Sequence, residues 1–223
     1  MTRTLGLLGD RSSHRSHQEL DALRPRLAAE YEVESTWIPT DAIVDLRRLD
    51  GVWLVPGAPY RDDRAVIAAL TAVRAADIPF LGTCGGMQYA VMEFMQTELG
   101  AAATHAESDG EGDDNAVVPL ACSLYGEIRQ ISPLPGSRFA SWCPEPFDGV
   151  HYCNYAPSEE SVAQLQAAGV QVSATAPDAG AEVLEFPTHP FYVTSMFQPH
   201  IGTLSGAPTH GLIRAFMDAI VRN

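Results

Sequence analysis

The chain has 223 residues, 46% of them hydrophobic and 19% charged, which fits one globular domain of the larger kind with an ample core. Its formal net charge of −14 repels nucleic acid and anionic membrane surfaces, so neither is an expected partner. No stretch approaches the roughly 18 uninterrupted apolar residues of a membrane helix, the N-terminus lacks a signal-peptide layout, and Cys84, Cys122, Cys143 and Cys153 show no Cys-x-x-Cys spacing, so a reduced, cytoplasmic setting without disulfide, metal or cofactor is the simplest expectation.

Taken in order, the chain alternates strand and helix. Thr4 to Asp10 is a short apolar run ending in turn residues, which suits a buried first strand. Ser16 is placed to cap a helix, with Glu19 three residues on and Leu20, Leu23, Leu27 and Ala28 at helical spacing. A second strand is expected over Val33 to Ile38, stopped by Pro39, and a third over Gly51 to Gly57, opening into the loop Ala58 to Asp63. A helix over Ala65 to Ala76 and a fourth strand over Ile78 to Thr83 follow. The middle is less regular. Glu107 to Asn115 is acidic and glycine-rich, with a faint calcium-loop spacing that reads more simply as a hydrated loop, and the prolines between Ser132 and Pro146 suggest surface loops or short antiparallel strands. Ser158 to Ala168 reads as a capped helix stopped by Gly169. Strands are then expected over Val170 to Ala176, Ala181 to Phe186 and Phe191 to Phe197, with turns at Pro177 to Gly180 and Pro187 to Pro190, and a last helix over Thr209 to Val221. Repeated strand–helix units imply an α/β fold: a mostly parallel central sheet with helices on both faces, plus a small antiparallel portion, in a single domain over 1–223.

The most informative stretch is Ile78 to Met92, where an apolar run enters Gly82-Thr83-Cys84-Gly85-Gly86 and a helix-compatible segment follows at once. A cysteine pinched between a strand end and a helix start favours glycine on either side, because a Cβ would collide there. The helix N-terminus lowers the thiol pKa, and its free N–H groups can hold an oxyanion. A buried cysteine in a glycine-rich turn, or a phosphate loop, is the plainer alternative.

These features together resemble a class I glutamine amidotransferase domain of flavodoxin-like fold, and among such domains the glutaminase domains of CTP synthases. The resemblance rests on the Pro56-Gly57 loop, the Gly82 to Gln88 elbow, His189-Pro190-Phe191 and the late Phe197-Gln198-Pro199 segment, and a stand-alone version without a preceding synthetase domain is the expectation. It implies Cys84 as nucleophile, forming a thioester and releasing ammonia. It also implies the Gly85 amide and the Gly57-Ala58 loop as oxyanion donors, Gln88 as a contact to the substrate's polar end, and Glu107 as holder of the α-amino group.

Two departures stand out. The family motif ends His-Pro-Glu, whereas Gln198 occupies the histidine position here and His200 the glutamate position, and an amide accepts no proton near neutral pH. The family also carries a basic cluster for the substrate carboxylate, but Phe147 to Asn154 contains no arginine. Three functions remain open. His200, helped by Gln198, serves as base in a cysteine hydrolase or acyl-transfer enzyme acting on a small molecule other than L-glutamine. Alternatively, catalysis is lost and the fold serves as a binding or regulatory subunit. In the third, glutamine hydrolysis survives and feeds ammonia to a separate synthetase chain. His151 is a further candidate base or polar anchor, His105 a weaker pocket residue and His189 a structural one. Tyr60 and Arg61 are candidates for the pocket mouth, Arg61 as the nearest cation, and assembly into a homo-oligomer is allowed. Cys122, Cys143 and Cys153 lack flanking glycines of this kind and read as packing or surface residues.

Overall fold

Apolar runs too short for helices become strands buried on both faces, and the amphipathic segments between them pack as covering layers. The computed structural model describes residues 2–177 and 179–223. Its strands are β1 (Arg3–Leu8), β2 (Val33–Ile38), β3 (Gly51–Leu54), β4 (Phe80–Thr83), β5 (Thr104–His105), β6 (Asn115–Pro119), β7 (Ile128–Pro133), β8 (Phe147–Val150), β9 (Tyr155–Pro157), β10 (Gln171–Ala176), β11 (Gly180–Glu185) and β12 (Tyr192–Ser195). Its α-helices are α1 (Arg15–Tyr31), α2 (Asp63–Ala75), α3 (Gly85–Thr97), α4 (Ala106–Asp109), α5 (Arg138–Trp142), α6 (Glu159–Ala167) and α7 (Gly211–Arg222).

The main sheet has the order β2-β1-β3-β4-β12-β11-β10-β7-β8. Its first five strands pair in parallel and the remaining four antiparallel. The expected α/β fold is therefore present, with an antiparallel part extended by β7 and β8. A second sheet, β5-β6-β9, lies apart. Side-chain alternation in the central strands feeds two cores. Leu54 and Phe80 face the cluster that contains Val66 and Leu70 of α2 and Met87 and Val91 of α3. Trp53 and Leu81 face the opposite cluster, with Leu20 and Leu23 of α1 and Leu212 and Phe216 of α7.

Some local expectations are corrected. Helix α1 is capped by His14, whose side chain accepts from the Ser16 amide, so Ser16 lies inside the helix with its hydroxyl free for another partner. Helix α2 starts at Asp63 because Asp62 accepts from the Ala65 amide. The acidic segment opens with α4 instead of a loop, and α5 interrupts the proline-rich stretch, capped by Ser137. The expected α6 is capped by Ser158 and is followed by Gly169 at φ +94°. In the turn from Pro177 to Gly180, Asp178 lies outside the described residues.

Behind the β4–α3 junction, buried Glu93 of α3 accepts from Arg74 of α2 at 3.0 Å and from Thr71 at 2.9 Å. A buried carboxylate needs such partners, and this one ties the two helices together.

Candidate active site

Cys84 sits at the sharp bend between β4 and α3 with φ 54° and ψ −110°, a left-handed conformation that strains a residue bearing a Cβ. Three restraints hold it there. Its N–H donates to the Ser195 carbonyl on β12 at 2.7 Å, and its carbonyl accepts from Met87 and Gln88 in the first turn of α3. Glycine is required at position 86, where a Cβ would run into the Leu54 carbonyl.

The thiol is buried but not isolated. Hydrogen bonding from the Cys153 side chain lowers its pKa, outweighing the burial that acts the other way, and the Gly85 amide and Gln198 side chain add to the lowering. Cys153 itself is pushed well up by its contact with Cys84 and by burial, so it keeps its proton and acts as the donor of the pair. Gln198 lies beside the sulfur, while neither polar atom of its amide has a hydrogen-bond partner of good geometry.

Above the thiol opens a cavity of about 300 Å³. One wall is the Pro56-Gly57-Ala58 loop, which touches the elbow directly: a Cβ at Gly85 would lie 3.0 Å from the Ala58 nitrogen. Gly57, at φ +143°, supplies a conformation that L side chains rarely adopt. The loop's Pro56 carbonyl accepts from His17 Nε2 at 2.7 Å, while His17 Nδ1 accepts from the Ser12 amide at 2.9 Å. These partners fix His17 as a neutral ring, in agreement with the lowering of its pKa by burial.

The fold brings Cys84, Gly57, Ala58, Gln88, Glu107 and Gln198 to one cavity, with Gly85 directly beneath. Four other expectations are corrected. His200 does not line the cavity; its Nε2 lies 2.9 Å from Ser16 Oγ, its ring packs edge-on against Trp53, and full burial lowers its pKa to about 3. It is a neutral structural residue. His151 faces inward, donating from Nε2 to both carboxylate oxygens of buried Glu182 at 2.9 and 3.0 Å. Tyr60 lies behind the elbow, where its hydroxyl donates to the Val55 carbonyl at 2.6 Å. Arg61 is exposed and drawn to Asp41 and Asp10, at 3.4 and 3.9 Å.

Gln88 is braced at both ends of its amide. Its Oε1 accepts from His105 Nε2 at 3.1 Å, and its Nε2 donates to the Tyr155 carbonyl at 2.7 Å. His105 is thus a buried brace that also accepts from the Glu107 amide, and His189 likewise serves the backbone, accepting from Phe191 N. Sequence reasoning missed His14, His17, Tyr125, Tyr152 and Cys153, all of which line the cavity. The only available signal was position: Tyr152 and Cys153 fall in the stretch that lacks the family's arginines.

The description "glutamine amidotransferase class-I" belongs to a family model that matches residues 18–186. The chain belongs to the class I glutamine amidotransferase family. A CTP synthase of Staphylococcus aureus is 25% identical over 213 residues, which cover 86% of this chain; the chain spans about two fifths of that synthase, 39%. Among solved structures, the glutaminase domain of Trypanosoma brucei CTP synthase with bound acivicin superposes at a TM-score of 0.83 with 18% identity, covering 100% of this chain and 95% of that one. A glutamine amidotransferase of Thermotoga maritima gives 0.63 with 12% identity, covering 100% and 85%. Both confirm the fold.

Within this amidotransferase frame, the matched span stops before Gln198 and His200. No imidazole is hydrogen-bonded to the thiol among the described residues, and no arginine lines the cavity.

Proposed function

We propose that this chain is a cysteine-nucleophile hydrolase or acyl-transfer enzyme acting through a Cys84 thioester on an amide-type small molecule other than free L-glutamine. The observation that carries the reading is a strained elbow thiol with a lowered pKa, opening on a cavity whose lining, among the described residues, includes no arginine to meet a carboxylate. In the proposed reaction Cys84 Sγ attacks the acyl carbon, the carbon–nitrogen bond breaks, and the thiol proton leaves with the amine. Water or another nucleophile then releases the acyl group and restores the thiol. The amides of Gly85, Gly57 and Ala58 are the oxyanion donors in this scheme; Pro59 has no N–H to add. Gln198 and Cys153 flank the sulfur and favour its thiolate, which needs less help than a hydroxyl would.

The test is selective alkylation followed by trapping. Iodoacetamide at pH 7 should label Cys84 faster than exposed Cys122, and intact mass should reveal an acyl-enzyme with a suitable amide. Equal labelling would instead support a binding or regulatory subunit. A second reading draws on the relatives, which include a CTP synthase and a glutaminase domain: glutamine hydrolysis that delivers ammonia to a separate synthetase chain. Ammonia release from L-glutamine decides for it, and its absence alongside rapid Cys84 labelling supports the first.

A further inference from the structure

The Pro56-Gly57-Ala58 loop is held by side chains at two successive carbonyls. The Tyr60 hydroxyl donates to the Val55 carbonyl at 2.6 Å, and His17 Nε2 donates to the Pro56 carbonyl at 2.7 Å. Among the described residues, by contrast, neither the Gly57 amide nor the Ala58 amide donates to a protein acceptor. His17 lines the cavity together with this loop and Cys84. The carbonyls at the loop's entry are therefore occupied, while its N–H groups are open to a bound molecule.

His17 can make this hold in one tautomer only. The Ser12 amide donates to Nδ1 at 2.9 Å and the Ser12 hydroxyl faces the same atom at 3.1 Å, so the ring proton is on Nε2, directed at the Pro56 oxygen. The ring is 3% exposed and packs edge-on against Trp37, with centroids 5.0 Å apart. It is fixed on both faces of its function, donor and acceptor. The direction of one peptide follows. A planar trans peptide carries its C=O and N–H on opposite sides, so a Pro56 carbonyl turned to His17 sends the Gly57 N–H away from the ring. Gly57, at φ +143°, has no side chain to resist a turn of that peptide, so the His17 hydrogen bond restrains what the backbone does not. The orientation matters because an N–H aimed at a developing oxyanion lowers the barrier, whereas a carbonyl oxygen in the same place raises it.

We propose that His17 is a positioning residue for acyl transfer: by holding the Pro56 carbonyl it presents the Gly57 N–H, beside that of Ala58, to the acyl oxygen of the Cys84 adduct. The role rests on Cys84 as the nucleophile. His17 acts through the loop and touches neither the acyl group nor the sulfur. A histidine that only tied α1 to the end of β3 would stabilise the fold and affect every reaction of Cys84 alike. A positioning histidine singles out the reactions that build charge on oxygen.

Two reactions of the same sulfur separate these roles. Iodoacetamide loses iodide from a saturated carbon and builds no charge on an acyl oxygen. With p-nitrophenyl acetate, Sγ attacks the acetyl carbon, the carbon–oxygen bond breaks, p-nitrophenolate leaves and the thiol proton passes to solvent. Both are run on the full chain and followed by peptide mass, with exposed Cys122 as the reference for intrinsic reactivity. His17→Met keeps the bulk and removes the donor; it should slow Cys84 acetylation by about 100-fold while alkylation stays within about twofold. His17→Gln, whose amide nitrogen reaches the place of Nε2, should restore acetylation to within about tenfold of the unsubstituted chain. Ser12→Ala, at an exposed position, loosens the ring without threatening the fold and should slow acetylation about threefold. It decides alone if His17→Met does not fold. Acetylation that is unchanged in these variants, or that falls in step with alkylation, overturns the inference and leaves Cys84 a nucleophile. If neither reagent labels Cys84 while Cys122 reacts, the nucleophile reading fails and takes this one with it.

Discussion

The two walls of the cavity are built in opposite ways. The elbow wall is backbone against backbone: β4 and β12 hold Cys84, the Cys84 amide donates to Ser195, and Gly86 packs on the Leu54 carbonyl with no room for a side chain. The facing wall is made of loops and side chains, with His17 holding the Pro56 carbonyl, His14 meeting Tyr125, and Tyr152 and Cys153 on the segment after β8. A bend set by a sheet survives wide sequence change, whereas a wall of loop side chains can be rewritten residue by residue. Under the proposed function, a change of substrate would be written on the loop wall while the elbow is kept.

The sharpest way to break the contrast is at the sulfur. Cys84→Ala should abolish selective alkylation and any acyl-enzyme seen by intact mass, with the cavity otherwise unchanged. Gly86→Ala tests the rigidity of the elbow wall: its Cβ meets the Leu54 backbone, and a loss of about 3 kcal/mol is expected in urea-melt stability. A third measurement separates structure from catalysis at His200. Its pKa is about 3 in the fold against about 6.5 when unfolded, so the folded chain binds fewer protons in between. Stability is therefore complete above pH 6.5 and falls as pH drops toward 3, with about 2 kcal/mol lost between pH 7 and pH 5 from this ring alone. His200→Gln should flatten that part of the acid limb in denaturant melts while leaving the thiol alkylation pKa in place. On the facing wall, Cys153→Ala removes the donor to Cys84, and alkylation of Cys84 at pH 7 should slow by about five- to tenfold as its pKa rises. A Cys153→Ala chain with an unchanged pH–rate profile would show that the thiolate is held by the elbow alone.

The strand–helix alternation and the elbow were legible because they depend on local pattern: apolar runs of strand length, glycines flanking one cysteine, and caps such as Ser158. The antiparallel extension was not, since β8 is four residues long and includes Asp148 and Gly149, with no two-residue alternation to read. Of the six proposed site residues that meet in the cavity, Gly57, Ala58, Cys84 and Gln198 lie just past the ends of β3, β4 and β12, which the parallel sheet aligns, while Gln88 comes from α3 and Glu107 from α4. His200 and His151 were misplaced for one shared reason. Sequence spacing shows which side of a strand a residue occupies, but not whether a serine or a glutamate from elsewhere in the fold, Ser16 and Glu182 here, already holds the ring.

The contact between Ser16 and His200 reaches further than its size suggests. Together with Glu19, which accepts from the Leu204 amide at 2.7 Å, it pins the start of α1 to the segment after β12, and that start carries His14 and His17 to the cavity rim. Damage at His200 would therefore travel along a strut to the rim and mimic the loss of a proton acceptor, so a dead His200 variant identifies a base only when the thiol's own titration moves with it.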